Sequence, residues 1–480
     1  MQETEHPTPR RRRIVVPSRN DALLSGLTEV AGGPLGKRTA PGIVTPGFFT
    51  VERVLVIITV LAALLALLFK DHCRRSGWTT PDQYTTACFS AFPNDFRDKG
   101  LAVFFPYFGH SLAYSGGPLA GLVAGITGRL AGGAGSGAPG QLAYFDLNAL
   151  LVIAAWGVAV VAVSRSNPRR PWDAAVVAAS PLLVFAALAG GDLSAAALLA
   201  AAIWLFARRN SLLAGVLTGL AFSVHPYAGL FLPAVALLAV RSRRYVPLLE
   251  TAAGAVLAWA VVTLPVLVIN PGSYGAFWGQ WTGAAAPSPG SLYNLYNVLA
   301  ARLGHEPIGN GTAAALSAGL LAVAVAAVAL FALRSRNRPH LAQLLVLLVG
   351  SYWLVSLSSS PQQLVWLVPL LALARPSWRM LLSWQAVAIL VFLAWQLYLG
   401  RELGHLSPQH SIDAPYFILA ILALMGATLV VMALVVRDVL RPGYDPVHRS
   451  GGPDPLAGEL AAAGAAPPRA SAARALPLEG

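Results

Sequence analysis

Four aspartates that follow the first apolar stretch are the residues of this sequence best suited to acid–base chemistry. They alternate with basic side chains in one polar segment, and they are Asp71, Asp82, Asp95 and Asp98. A carboxylate held near a hydroxyl group can take its proton, whereas in a solvated loop the same residues only form screened ion pairs. The amphipathic, aromatic sequence from Leu101 to His110 comes next and predicts a helix along the membrane interface. A membrane enzyme acting on lipid-linked substrates would use such a combination.

The two cysteines of the chain lie in this same segment. Cys73 and Cys88 have no Cys-x-x-Cys or histidine spacing around them, so a metal site is not indicated. If the segment lies outside the cytoplasm, its oxidising surroundings favour a disulfide; the alternative is a pair of free thiols.

Three polar side chains occupy the ends of apolar runs. Asp192 separates two runs rich in alanine and leucine, and it can be a functional carboxylate or a helix N-cap. His225 and Tyr227 flank Pro226, a residue that can simply end a helix. An imidazole at such a point could also hold a phosphate group or transfer a proton.

Aromatic and amide side chains collect in two further places. The stretch 270–310 carries several of each, Tyr293 among them, while Gln362 and Gln363 directly follow Pro361. Such a mixture suits a sugar, which offers a flat apolar face and many hydroxyl groups. Aromatic residues also form belts at membrane interfaces, and the glutamines could merely cap a helix.

The elements that must position these side chains are apolar helices. The chain has 480 residues, of which 56% are hydrophobic and 11% charged, against roughly 25% charged residues in soluble chains. The hydrophobic residues form about twelve or thirteen runs near the ~20 residues that span a bilayer. Their richness in small residues favours packed helices over a β-barrel. The sequence therefore predicts an all-α polytopic membrane protein with about 12–13 transmembrane helices.

Arginine clusters predict the orientation of these helices. From Arg165 onward, successive clusters are separated by two apolar runs with a weakly charged turn between them. Because cytoplasmic loops carry the excess of lysine and arginine, the clusters are predicted to be cytoplasmic and the turns extracytoplasmic. This placement also accounts for the net charge of +13, so no nucleic-acid partner is expected.

The orientation divides the chain into three parts in the plasma membrane. Residues 1–50 and 441–480 are predicted to be disordered cytoplasmic tails, and residues 51–440 a multi-pass transmembrane domain. Within it, residues 70–116 form a long first extracytoplasmic loop and residues 270–310 a second large one.

The first third of the chain leaves the number of crossings open. The run 52–69 leads out of the cytoplasm, and Arg165 must lie inside, which requires an odd number of returning crossings. Two candidates are visible, near 117–131 and 144–163. Either Leu101–Tyr114 adds a third crossing, or one of the segments is re-entrant.

Motifs of soluble enzymes and pumps are absent from the sequence. It contains no P-loop, no G-x-S-x-G and no H-E-x-x-H, which argues against a primary pump. A secondary transporter or flippase remains an alternative, although no inverted repeat and no charged pair within a span supports it.

Several motifs together resemble one family. They are the segment from Cys73 to Cys88, Ser180-Pro-Leu-Leu-Val, Ser360-Pro-Gln-Gln-Leu-Val-Trp and Arg375-Pro-Ser-Trp-Arg. With these motifs, most of residues 50–450 resembles the actinobacterial membrane glycosyltransferases of the GT-C superfamily, in particular the family-87 mannosyl- and arabinosyltransferase-like proteins.

The resemblance implies an activity and its partners. Such a protein transfers a mannose- or arabinose-type sugar from a polyprenyl-phosphate donor to a cell-envelope glycan or glycolipid outside the cytoplasm. An aspartate in the first outer loop is its expected catalytic base. No cofactor and no metal-ligand set are evident, although a divalent cation is left open.

The sequence departs from the family pattern where the base is expected. Related chains read Tyr-Ser-Asp-Ile-Pro, whereas this one has Ala91 in place of the aspartate. Asp95 or Asp98 could then act as the base. The alternative is a catalytically inactive relative that binds lipid-linked sugars or scaffolds envelope synthesis.

Two further positions depart as well. Gly116-Gly117-Pro118 replaces Glu-Tyr-Pro, and His225 stands where relatives have a lysine. His225 and loop arginines are accordingly predicted to hold the donor phosphate. The predicted substrate-binding residues are Asp192, His225, Tyr227, Tyr293, Gln362 and Gln363.

Overall fold

The computed structural model describes residues 21–32, 50–108, 114–404, 411–450 and 454–461. These residues are overwhelmingly helical, and the β-structure among them is one isolated bridge between Phe105 and Phe108. The predicted all-α class is confirmed.

The helices of the described residues follow one another closely along the chain. The α-helices are α1 (Ala22–Gly32), α2 (Val51–Phe69), α3 (Asp71–Ser76), α4 (Asp82–Thr85), α5 (Ala91–Asp98), α6 (Pro118–Gly132), α7 (Ala138–Ser166), α8 (Ala175–Ala178), α9 (Pro181–Ala186), α10 (Asp192–Ala207), α11 (Ser211–Phe222), α12 (Phe231–Ser242), α13 (Val246–Ile269), α14 (Pro271–Thr282), α15 (Leu292–Leu303), α16 (Asn310–Arg334), α17 (Leu341–Val355), α18 (Leu367–Ala374), α19 (Trp378–Gly404) and α20 (Ala414–Leu440). Short 3-10 helices lie at Pro171–Ala174, Ala187–Ala189, Pro226–Leu230, Pro361–Trp366, Pro442–Tyr444, His448–Ser450 and Gly458–Leu460.

Six helices of the described residues are long and apolar enough to cross a membrane. They are α2, α7, α13, α16, α19 and α20. A bent pair, Pro171–Ala178 with Pro181–Ala189, would add a seventh span. Five shorter apolar helices account for other predicted spans: Asp192–Ala207, Ser211–Phe222, Pro226–Ser242, Leu341–Val355 and Pro361–Ala374. The polytopic class is thus confirmed, but much of the predicted count consists of helices shorter than a full span.

Prolines explain part of this shortening. Pro181, Pro226 and Pro361 each occupy the first turn of a helix, where the missing N–H is harmless. The residue before a proline disfavours the helical conformation. Each proline therefore separates two helices that hydropathy alone cannot divide.

The helices α11 and α13 pack backbone to backbone through glycines. A Cβ atom at Gly215 would overlap the Thr251 carbonyl oxygen, and one at Gly219 would overlap that of Ala255. Glycines four residues apart let helices approach in lipid, where packing rather than hydrophobicity drives association. This contact fixes α11, the helix that ends just before His225.

The arginine clusters meet at one end of the helix bundle, called here the basic end. Glu52, at the start of α2, pairs with Arg165 at the end of α7, at 2.8 Å. Arg375 pairs with Asp438, and a guanidinium nitrogen of Arg338 donates to the Arg241 carbonyl oxygen at 3.1 Å. The described clusters that contain Arg165, Arg241, Arg338, Arg375 and Arg437 thus lie at the same end of the bundle. Which side of the membrane this is remains a prediction.

The same helix ends indicate how residues 70–165 run between the two ends of the bundle. Since α2 begins and α7 finishes at the basic end, α7 alone supplies the return. The helix α6 lies between the far end of α2 and the start of α7, and its 15 residues are not among the candidate membrane spans. The segment Leu101–Phe108 forms turns instead of a third span.

Part of the C-terminal tail is folded, although the sequence predicts that the whole tail is disordered. Val447, Leu456 and Leu460 are buried, and the Arg170 guanidinium donates to the Pro446 carbonyl oxygen at 2.8 Å. The predicted tail at 441–480 is therefore wrong for 441–450 and 454–461, because these apolar residues cover helix ends. Near the other terminus, Asp21 accepts a hydrogen bond from the Trp378 backbone N–H at 3.2 Å and precedes α1. The rest of both predicted tails lies outside the described residues.

Candidate functional site

The polar segment after α2 is held together at its start by a disulfide. Cys73 and Cys88 are joined, with their Cα atoms 5.8 Å apart. The Lys70 ammonium, fully buried, donates to the Phe89 carbonyl oxygen at 2.9 Å, and burial lowers the pKa of this lysine to about 7. The Trp78 indole N–H donates to the Cys88 carbonyl oxygen at 3.3 Å. These contacts fix the chain just before α5.

The predicted interfacial helix at Leu101–His110 is wrong for its described residues, 101–108. Tyr107, at positive φ, is completely buried, and its hydroxyl donates to the Gly116 carbonyl oxygen. Pro106 interrupts the sequence, and the rings of Phe105 and Phe108 contact each other with centroids 5.6 Å apart. An aromatic pattern that looks amphipathic here folds onto α6 instead, because Gly121 leaves room for the Tyr107 ring.

A cavity of about 400 Å³ lies between α5, α6, α7 and the start of α10. Its lining is mostly apolar, and the polar and charged exceptions are Asp95, Tyr114, Tyr144, Asn148 and Ser194. Leu151 and Val158 line it too and are 44% and 49% exposed. Because both residues lie on the membrane-spanning α7, the cavity opens toward lipid.

Asp95 is the acidic residue that lines this cavity. It is partly buried, and its carboxylate forms no hydrogen bond or ion pair with another described residue. Burial raises its pKa to about 6, against an opposing effect of Lys99 and a reinforcing one of Asp98. A carboxylate with this pKa is ionised at neutral pH and still basic enough to accept a proton.

Asp98, the other candidate base, lies outside the cavity. Its carboxylate is exposed and pairs with the neighbouring Arg97 at 2.8 Å. Ala91 does line the cavity, and it precedes Asp95 by four residues on α5, which places both on one helix face. The structure therefore distinguishes the two aspartates that the sequence leaves equivalent.

A second group of side chains, called here the aromatic cluster, surrounds His225. The centroid of the His225 ring lies 4.3 Å from that of Trp366 and 5.5 Å from that of Trp281. Tyr227 stacks on Trp366 at 4.1 Å, and Tyr352 contacts the same indole at 6.3 Å. The cluster draws on three distant parts of the chain, and the 270–310 stretch contributes Trp281 to it.

Polar atoms within the cluster lack partners among the described residues. His225 Nδ1 and the Tyr227 hydroxyl are buried without a hydrogen bond. Gln362 Oε1, in the 3-10 helix that also carries Trp366, is buried without one as well. Buried polar groups are normally satisfied, so an unpaired set marks a place where water or a polar ligand is needed.

Asp192 lies between the cavity and the aromatic cluster. It is the first residue of α10, and the N-cap position that the sequence also offered to it is occupied by Gly191. It lies beside the Trp366 indole and the Tyr227 phenol. Its neighbours Gly190 and Gly191 line the cavity, as does Val224, next to His225. The cavity and the cluster are thus adjacent.

Two predicted substrate-binding residues have structural partners instead. The Tyr293 hydroxyl donates to the Val355 carbonyl oxygen at 3.1 Å, and the ring packs in a small apolar cluster with Ala313 and Leu357. Gln363 accepts from the Ser360 backbone N–H at 3.1 Å and so caps the helix that starts at Pro361. Neither residue lines the cavity.

Four polar residues of the cavity escape sequence reasoning, and Ser194 is one of them. Tyr114, Tyr144 and Asn148 line it, and the Asn148 amide donates to the Thr127 hydroxyl at 3.2 Å. An asparagine inside a long apolar run is a signal that could have identified Asn148. Among the described residues no group of three or more His, Cys, Asp or Glu could hold a metal ion.

Comparison with known proteins gives a family model and distantly similar solved structures. A family model described as glycosyltransferase family 87 matches residues 136–361, which confirms the predicted likeness over that range. The match includes Asp192 and His225 but not Asp95. A crystal structure of ArnT from Cupriavidus metallidurans bound to undecaprenyl phosphate is 17% identical, over 86% of this chain and 75% of that one, with a TM-score of 0.42. No curated protein is significantly similar in sequence.

Proposed function

We propose, from the family-87 match over residues 136–361, that this membrane protein is a glycosyltransferase of the GT-C type. Its donor is a polyprenyl phosphate carrying a mannose- or arabinose-type sugar, and its acceptor is a cell-envelope glycan or glycolipid on the extracytoplasmic side. A lipid-phosphate donor suits a cavity that opens toward lipid. It also suits a site on the extracytoplasmic side, because nucleotide sugars are confined to the cytoplasm.

One observation carries the proposal: an unpaired carboxylate in a lipid-facing cavity. Asp95 has no partner among the described residues, and the cavity walls are apolar and open beside Leu151 and Val158. A prenyl chain could occupy those walls while its phosphate and sugar stay near the polar end. An ion-paired surface aspartate such as Asp98 has no comparable access to a membrane-bound substrate.

The proposed chemistry uses this carboxylate as a general base. Asp95 takes the proton of an acceptor hydroxyl, and the oxygen attacks the anomeric carbon of the donor sugar. The bond between that carbon and the phosphate oxygen breaks, and polyprenyl phosphate leaves with the electron pair. His225 donates a hydrogen bond to the donor phosphate, and the aromatic cluster with Gln362 contacts the sugar. Asp192 lies between the two groups.

The position of Ala91 fits a base moved by one helical turn. Relatives are expected to carry their aspartate at this point, and Ala91 and Asp95 share one face of α5. Both line the same cavity, so a carboxylate from either position would enter the same space.

The test compares single aspartate variants in a transfer assay. Purified protein in lipid is incubated with polyprenyl-phosphate mannose or arabinose and an envelope acceptor. We expect Asp95→Asn to lower the transfer rate by at least about 100-fold, while the matched control Asp98→Asn stays near wild type. Ala91→Asp should restore part of the activity in an Asp95→Ala background. Equal activity of Asp95→Asn and wild type would exclude this base.

A catalytically inactive relative is the second candidate, and Ala91 is the observation that favours it. In that case the wild-type protein binds polyprenyl-phosphate sugar but transfers none of it. Recovery of transfer on introducing Ala91→Asp alone would then identify the lost residue.

A further inference from the structure

A second cavity, of about 370 Å³, lies at the basic end, opposite the Asp95 cavity. Its walls come from the end of α12, the loop between α16 and α17, the end of α20 and the C-terminal segment 454–461. Because these helix ends lie where the apolar spans finish, the cavity is level with the headgroups of the adjacent leaflet.

Three guanidinium groups line this cavity without a carboxylate partner. Arg241 donates to carbonyl and hydroxyl oxygens, the nearest being the Ala332 carbonyl oxygen at 2.5 Å. Arg338 donates to the Arg241 carbonyl oxygen. Arg336 is exposed and forms no hydrogen bond or ion pair with another described residue. Within the part of the chain that the structure describes, none of these three positive charges is paired with a carboxylate.

The carboxylates in the same walls are already paired with other cations. Asp438 pairs with Arg375 and with Arg437. Asp445 and Asp454 lie 3.0 and 3.1 Å from the two ring nitrogens of His340. Although burial opposes it, the two carboxylates raise the pKa of His340 to about 10, so the imidazole is a cation at neutral pH. His448 adds a further basic group to the lining.

We propose that this cavity binds a phosphate group, carried by an anionic lipid headgroup of the adjacent leaflet or by a soluble phosphate compound. Guanidinium groups match phosphate oxygens in geometry and charge. Juxtamembrane basic groups attract anionic lipids, and this cavity adds a defined concave site to that attraction. The inference does not depend on glycosyl transfer, since the site lies at the other end of the molecule.

The variants exploit the two exposed arginines. The double variant Arg336→Gln with Arg338→Gln removes two positive charges from the cavity. Among the described residues it loses one hydrogen bond, which Arg338 donates to the Arg241 carbonyl oxygen. The matched control is Arg208→Gln with Arg379→Gln, which removes two exposed charges from the same end but outside the cavity. Arg336→Gln alone is the reserve variant, because this side chain has no partner among the described residues.

Binding is measured by titration calorimetry on the full-length protein in detergent, with dioctanoyl phosphatidylglycerol and inorganic phosphate as separate probes. We expect saturable binding of at least one probe by the wild type. The cavity double variant should weaken it at least about tenfold and the control double variant less than about twofold. Binding of phosphatidylglycerol alone assigns a lipid headgroup, and comparable binding of inorganic phosphate assigns a soluble anion.

Two results would overturn the inference. Wild-type protein that binds neither probe has no phosphate site. Equal weakening by the two double variants would mean that the end of the molecule attracts anions by its overall charge. The single Arg336→Gln variant should weaken binding by about threefold, and an unchanged affinity there also contradicts the site.

Discussion

The raised pKa of Asp95 has two opposite effects on its activity as a base. Its place in an apolar cavity raises the pKa to about 6, which strengthens it as a base but makes it easier to protonate. Only the ionised form can accept a proton. Transfer should therefore be lost as the pH falls through about 6, by about tenfold for each further unit.

A pH profile of kcat/KM between about pH 4.5 and 8 tests this at the residue level. Asp98→Asn serves as the control, because the exposed carboxylate that it removes lies outside the cavity. This variant should shift the midpoint of the pH profile by no more than a few tenths of a pH unit. A rate independent of pH across this interval would contradict the role given to Asp95.

Sequence reasoning identifies the carboxylates but cannot rank them. Asp95 and Asp98 lie three residues apart among the same basic neighbours. Only the packing of α5 against α6 and α7 shows that one faces a cavity and the other solvent. The same limit applies to Tyr293, whose hydroxyl donates to the distant Val355 carbonyl oxygen, a partner that no local pattern reveals. Gln363 differs, because its bond to Ser360 three residues earlier is the capping that the sequence already offered as an alternative.

At the level of elements, the contact between α11 and α13 has a direct test. Gly219→Leu places a side chain against the Ala255 carbonyl and should separate the helices, lowering stability by about 1–3 kcal/mol. The melting temperature in detergent should fall. Transfer activity should fall too, because α11 leads to His225.

Gly319→Leu is the matched control for that variant. This glycine lies on α16 with no atom near a would-be Cβ, and it is exposed on a lipid-facing helix. Its substitution should leave the melting temperature nearly unchanged. Similar losses for both variants would show that any leucine in a span is harmful, and that the close approach is not special.

Helix positions follow well from hydropathy, whereas their lengths and small connections do not. The runs predicted at 52–69 and 144–163 lie within α2 and α7. The stretch at Leu101–Phe108 is different, because its aromatic residues fold into turns against glycines of α6. An amphipathic pattern cannot distinguish a helix on the membrane from a loop packed on its neighbour.

For the whole molecule, the gathering of the arginine clusters predicts a sidedness that labelling can measure. A cysteine at His305, exposed after α15, should react with a membrane-impermeant maleimide in intact cells. A cysteine at Arg208, on the basic end, should react only after permeabilisation. The native cysteines are joined in a disulfide and should not react with the maleimide in either case. The reverse labelling pattern would show that the protein has the opposite orientation, with Asp95 on the cytoplasmic side.

The short central helices have a consequence for the membrane itself. Ser211–Phe222 has 12 residues and Leu341–Val355 has 15, which correspond to rises of about 18 and 22 Å against a hydrocarbon core of ~30 Å. If their other ends lie level with the headgroups at the basic end, the ends that His225 and Ser360 follow lie several ångströms beneath the opposite headgroup plane unless the bilayer thins beside them. The acyl-chain length of the host membrane thus sets how far a lipid phosphate must descend, and bilayer thickness becomes a control on turnover that involves no side chain.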